Sequence, residues 1–180
     1  MATYTNAQRR KMFERKFLPI FGDEYASIYA WLDKQKFFEA PASVKYHGNY
    51  AGGLFDHSWS VMTHLAHLTE DNGLAWDREE SPYIVGMFHD LCKIDAYTPG
   101  TNSGWEYNSE QLVTGHGDKS VMLMSFLYKL TSEEMMCIRY HMGAFTDKEE
   151  WKYYSQAVKL YPNVLWTHTA DMLASQVSGI

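Results

Sequence analysis

The stretch Tyr83–Ile94, YIVGMFHDLCKI, decides how this chain is read. Its first half is apolar at helical spacing, and its second half carries His89, Asp90 and, one turn on, Lys93. An apolar helix gains nothing structural from three such groups at its end, because burying unpaired charge is costly. A bound metal ion or phosphate offsets that cost. The groups that complete such a site should therefore lie elsewhere in the chain.

Upstream of it, Ser81-Pro82 predicts the helix start, with Ser81 as the cap and Pro82 at the first helical position. The periodicity predicts a further helix from Asp56 to about Asp71, with His57, Val61, His64, Leu65 and Leu68 on one face. His57 then falls in its first turn, beside the Gly-rich loop KYHGNYAGG (Lys45–Gly53) that contains His47. Two more helices are predicted before that loop. One is Asn6–Leu18, with Asn6 capping and Pro19 past its end; the other is Asp23–Ala40, stopped by Pro41.

Downstream, the pattern changes. Two β-prone pieces flank a Pro/Gly/Asn turn, predicting a small β-hairpin around residues 94–108. His116 stands between two glycines, just ahead of an apolar helix over Lys119–Leu130. Thr131 and Glu134 predict a capping box for a helix ending near His141. Asp147 and Glu150 mark another start, for a helix to about Leu160, and Pro162 opens a last one with Asp171 near its middle. The fold class expected is all-α, a compact helical bundle with that one hairpin. It forms one domain over residues 1–180, in which helices of residues 1–44 pack on a metal-binding core of residues 45–180.

Composition narrows the function. Hydrophobic residues are 46% and aromatics 16% of 180, enough for a core and too many for a disordered chain. A formal charge of −6 argues against long nucleic acid, which needs a basic face, but leaves small phosphorylated substrates open. Two cysteines, Cys92 and Cys137, in apolar helical contexts read as buried reduced thiols. With no N-terminal signal and no apolar run of about 18 residues, no membrane segment is expected and a cytoplasmic location is.

The candidate metal ligands are His57, His89, Asp90, His116, His141 and Asp171. Helix bundles build metal sites from residues converging this way. Imidazole with carboxylate suits zinc, manganese, iron or cobalt. Asp90, with two oxygens, could bridge two such ions and give a nucleophilic hydroxide at neutral pH. Lys93 is the candidate catalytic cation beside Asp90, stabilising phosphoryl oxygens as charge develops, with His47 and Arg139 as further substrate contacts.

These residues resemble the H…HD…D signature of the HD-domain metal-dependent phosphohydrolases. The match is closest to the HD domain of YhaM-type 3′–5′ exoribonucleases. It is carried by YHGNYAGGLFDH (ending at His57), HDLCK (from His89), GHGD (His116), YHMG (His141) and HTAD (ending at Asp171), over roughly residues 45–175. The resemblance implies His57, His89, Asp90 and Asp171 around one divalent transition metal, with His116 and His141 holding a second. It implies hydrolysis of a phosphoester or phosphoanhydride in a nucleotide or similar small molecule. Two departures weigh against an RNA substrate. The 45 or so helical-looking residues ahead of the motif set are too few for the exoribonucleases' OB domain, and Met142 stands where a second His often follows the first. Some six-ligand relatives hold a mixed-valent di-iron pair and act as oxygenases, and a non-catalytic nucleotide sensor would keep the same fold. A homo-oligomer is compatible with the sequence.

Overall fold

The computed structural model describes residues 4–100, 104–113 and 115–180. The first helix, α1 (Asn6–Phe21), opens on a capping box between Thr5 and Gln8 rather than on Asn6, and it runs through Pro19. Proline there lacks the N–H of a helical hydrogen bond. The helix continues because Phe13, Phe17 and Phe21 recur every fourth residue on one buried face, and their packing outweighs the local preference. α2 (Tyr25–Lys34) is shorter than the predicted Asp23–Ala40. Lys36 takes a left-handed backbone, φ 59°, and the chain turns so that adjacent Phe37 and Phe38 are both fully buried. A continuing helix would point neighbouring side chains about 100° apart.

α3 (Gly53–Asn72) starts three residues before the predicted Asp56. It packs closely on α4 (Ser81–Phe88). Gly86 makes this approach possible: a Cβ there would lie 2.4 Å from the Cα of Met62 on α3. Ser81 does not cap α4 with its side chain; its hydroxyl donates to Glu134 instead. After a 3₁₀ turn over Leu91–Asp95, the hairpin forms from β1 (Tyr97–Pro99) and β2 (Trp105–Tyr107), antiparallel with Tyr97 opposite Tyr107. The expected hairpin turn at residues 101–103 lies outside the described residues, as does Thr114.

α5 (His116–Leu127) begins at His116 itself and ends before the predicted Leu130, where Tyr128 becomes extended. α6 (Ser132–Arg139) starts on the Thr131–Glu134 capping box. The short 3₁₀ turn Lys148–Glu150 leads into α7 (Trp151–Leu160). α8 (Asn163–Met172) continues as π-helical turns over Leu173–Ser178. Among the described residues the architecture is mostly helical with one two-stranded ribbon. Among the described residues no helix is long and apolar enough to cross a membrane.

One core runs through the bundle, dominated at the α1 end by phenylalanines. Phe17 and Phe21 both reach Phe88 at the end of α4, at centroid separations of 5.7 and 6.1 Å. Arg9 adds a polar bolt. It is buried and forms a bidentate pair with Asp56 at 2.7 and 2.9 Å, joining α1 to the first turn of α3. The residue after Phe88 is His89, so the packing that seats Phe88 also sets where the polar cluster begins.

Candidate metal centre

α4 ends at Asp90: His89 keeps a helical backbone and donates its N–H to Val85 O, whereas Asp90 has φ −104° and ψ 20° and starts the 3₁₀ turn. That turn is pinned to α5, since the Cys92 N–H donates to Ser120 Oγ at 3.0 Å. The start of α5 presses in turn on the end of α6, where a Cβ on Gly117 would lie 1.9 Å from the Arg139 carbonyl oxygen. His141 follows directly after α6. Helices α3, α4, α6 and α8 thus deliver His57, His89-Asp90, His141 and Asp171 to one place.

The three buried imidazoles are oriented alike. Nδ1 of His57 donates to the backbone oxygen of Ile180 at 2.8 Å, that of His89 to Gly86 O at 2.9 Å and that of His141 to Ile138 O at 2.7 Å. A carbonyl only accepts, so each Nδ1 carries a proton and each Nε2 is left to face inward. There the Nε2 atoms of His57 and His89 lie 3.3 Å apart. Asp171 Oδ1 is 3.2 Å from the first and 4.0 Å from the second. Asp90 Oδ2 lies 3.6 Å from His57 Nε2 and 3.5 Å from His89 Nε2, while Oδ1 lies 3.5 Å from His141 Nε2. Among the described residues His141 Nε2 is fully buried and makes no hydrogen bond.

Left bare, those inward Nε2 atoms would direct lone pairs at each other and at carboxylates. A cation resolves that conflict, and backbone-oriented histidines of this kind are what metal sites use. The groups His57–His89–Asp171, His89–Asp90–His141 and Asp90–Cys92–His116 each have ligand atoms within 4.8 Å of one another and can hold a metal ion.

Charge in the cluster is strongly coupled. Burial works against ionising Asp90, but Lys93, His89 and His141 outweigh it and hold its pKa well below the usual carboxylate range. Lys93 Nζ sits 2.6 Å from Asp90 Oδ2, and that contact raises the Lys93 pKa in spite of burial. Asp171 is likewise lowered against burial, by His57 and His89. His141 is raised, because Asp90 and Asp171 outweigh its desolvation. His47 goes the other way, down to about 4, through burial and then the neighbouring His57 and Lys93. Its ring packs on His57 at a centroid distance of 4.7 Å.

Above the cluster opens a cavity of about 350 Å³, lined by His47, Asp90, Lys93, His116, Met142, His168 and Asp171 among others. Tyr46, Tyr107 and Phe145 stand at its walls and are 77%, 71% and 69% exposed. Comparison of the chain with family models, with curated proteins and with solved structures finds no match.

The sequence-predicted residues are not placed alike. His57, His89, Asp90, His141 and Asp171 converge, and Lys93 and His47 line the cavity beside them. His116 is exposed and reaches the cluster from its edge through Cys92, whose Sγ is 3.6 Å from His116 Nδ1. Arg139 stands apart. Its guanidinium is held by Asp118 at 2.5 Å and Glu150 at 3.0 Å, ties α5 to the start of α7, and lines a different cavity from the one holding Lys93. Two participants are not evident from the sequence. Cys92 reads as core, although it stands between Asp90 and Lys93. His168 is not among the candidate ligands or substrate contacts, yet its Nδ1 donates to the His141 carbonyl at 2.9 Å and its ring lines the cavity.

Proposed function

We propose that this chain is a metal-dependent phosphohydrolase of the HD-domain type, acting on a nucleotide or similar small phosphorylated molecule. The observation that carries the reading is the convergence of the His57, His89 and His141 Nε2 atoms on Asp90 and Asp171, with Lys93 in contact with Asp90. Those donors suit one or two divalent transition metals, manganese, iron, cobalt or zinc. When bound, such ions supply Lewis-acid polarisation of phosphoryl oxygens and acidify water.

The protein groups have their own tasks. Asp90 offers one oxygen to the His57–His89 pair and the other to His141, so a single side chain orders both halves of the centre. Lys93 is charged and lines the cavity, placed to meet an anionic phosphoryl group and to steady it as charge grows. His47, held neutral near pH 7, can accept or donate one hydrogen bond there without repelling a cation. Tyr46, Tyr107 and Phe145 offer exposed aromatic faces beside the anion-binding floor. A substrate with a phosphate at one end and a flat ring at the other fits that division.

The test is metal analysis of the purified protein, followed by phosphate release from a nucleotide panel with manganese, cobalt, zinc and magnesium. Metal-dependent release that disappears in Asp90→Ala, with the helical circular dichroism retained, is the expected result. A fully active Asp90→Ala protein sinks the proposal. So does a metal-loaded protein that consumes oxygen, shows a di-iron resonance and releases no phosphate.

A further inference from the structure

Cys92 has no part in the centre formed by His57, His89 and Asp171, and its position is not that of an ordinary core thiol. Its residue is 4% exposed, its backbone is held by Ser120, and its Sγ points at His116 Nδ1 from 3.6 Å. Asp90 supplies the third donor, the three ligand atoms lying within 4.8 Å. In a tetrahedral site with metal–sulfur and metal–nitrogen bonds of about 2.3 and 2.0 Å, sulfur and nitrogen are about 3.5 Å apart. The Cys92–His116 separation matches that edge. A second observation bears on the same carboxylate: His141 Nε2, fully buried and without a hydrogen-bond partner among the described residues, is aimed at Asp90 Oδ1. Asp90 is therefore common to the His141 group and the Cys92–His116 group.

We propose that Cys92 is a thiolate ligand of a second cation, held with His116 and Asp90, in the centre on which the phosphohydrolase reading rests. Coordination breaks the S–H bond, forms a sulfur–metal bond and releases one proton to solvent; no oxidation is involved. His116 contributes Nδ1, which requires the tautomer with its proton on Nε2. A thiolate favours zinc, cobalt or iron over magnesium or manganese at that position. The centre then has two unlike halves, one of imidazole and carboxylate and one that includes sulfur.

Titration of the metal-free full chain with cobalt(II) under anaerobic conditions tests this. The expected wild-type result is two cobalt ions per chain and a near-ultraviolet thiolate-to-cobalt charge-transfer band. Cys92→Ala should lose the band and bind its second cobalt more weakly by over the 10–100-fold that removing a mere supporting partner costs. Cys137→Ala, which alters the other thiol, should keep the band. Cobalt bound without a thiolate band, or two cobalt ions held equally well by Cys92→Ala, overturns the ligand assignment and leaves the wider metal-centre reading standing. No cobalt bound at all overturns both.

Discussion

The Nε2 atoms of His57 and His89 face each other across 3.3 Å, each ring having spent its Nδ1 proton on a backbone oxygen. Two lone pairs in a dry interior at that distance are tolerated when a cation or a proton lies near them. Adding zinc, cobalt or manganese to metal-free protein should therefore raise its melting temperature. The linkage is about 2.7 kcal/mol at a hundredfold excess of free metal over Kd. His57→Ala should remove most of that shift in differential scanning calorimetry, and an undiminished shift in the variant would place the metal elsewhere.

The pH dependence follows from opposite shifts of two groups that touch. Asp90 is depressed below its ordinary 3.8, so the stability it contributes is present above that value and is lost as pH falls toward its folded pKa. His141 is raised above 6.5, so its contribution is present below 6.5 and is lost as pH rises through its folded value. Metal-free protein should be most stable between the two. Metal must displace the His141 proton, so affinity measured by calorimetric titration should strengthen by about tenfold per pH unit until that proton is gone. An affinity flat from pH 6 to 8 would contradict this.

Lys93→Met removes the cation 2.6 Å from a buried carboxylate. Breaking such a pair costs about 3–5 kcal/mol in metal-free protein, readable by urea denaturation, and bound metal should offset part of it. On the proposed phosphohydrolase function, turnover of loaded protein should fall about 10²–10³-fold through kcat, as for loss of a donor to developing charge, with a smaller change in KM. A change confined to KM would assign Lys93 to ground-state binding alone.

Gly86→Ala tests whether helix spacing controls the centre. The added methyl meets the Met62 backbone at 2.4 Å, so α3 and α4 must separate. Destabilisation of about 1–3 kcal/mol is expected from overpacking. Metal affinity should drop as well, because His57 rides on one helix and His89 ends the other. Unchanged affinity in a destabilised variant would uncouple the two.

Much of this molecule is legible in one dimension. Helical periodicity, the Thr131–Glu134 capping box and the Pro/Gly-marked hairpin all depend on neighbours in sequence, and His89-Asp90 stands out because charge is costly at the end of an apolar helix. Helix limits are less legible. Pro19 lies inside α1 and Lys36 turns left-handed because a buried phenylalanine stripe, not local preference, decides both places. The Arg9–Asp56 bolt joins residues 47 positions apart, and no spacing rule points to it.

The same division runs through the site. The sequence by itself determined which polar residue types were available for a site, since His, Asp and Lys at helix ends are exceptions to apolar patterning. Only the tertiary structure decided their grouping. Backbone carbonyls orient His57, His89 and His141 inward, Arg139 is drawn off to Asp118 and Glu150, and Cys92 is brought to His116 by a 3₁₀ turn pinned to Ser120. The reason is range. Periodicity and capping act over about one turn of helix, whereas ligand geometry is set by contacts between elements that the chain brings together only on folding.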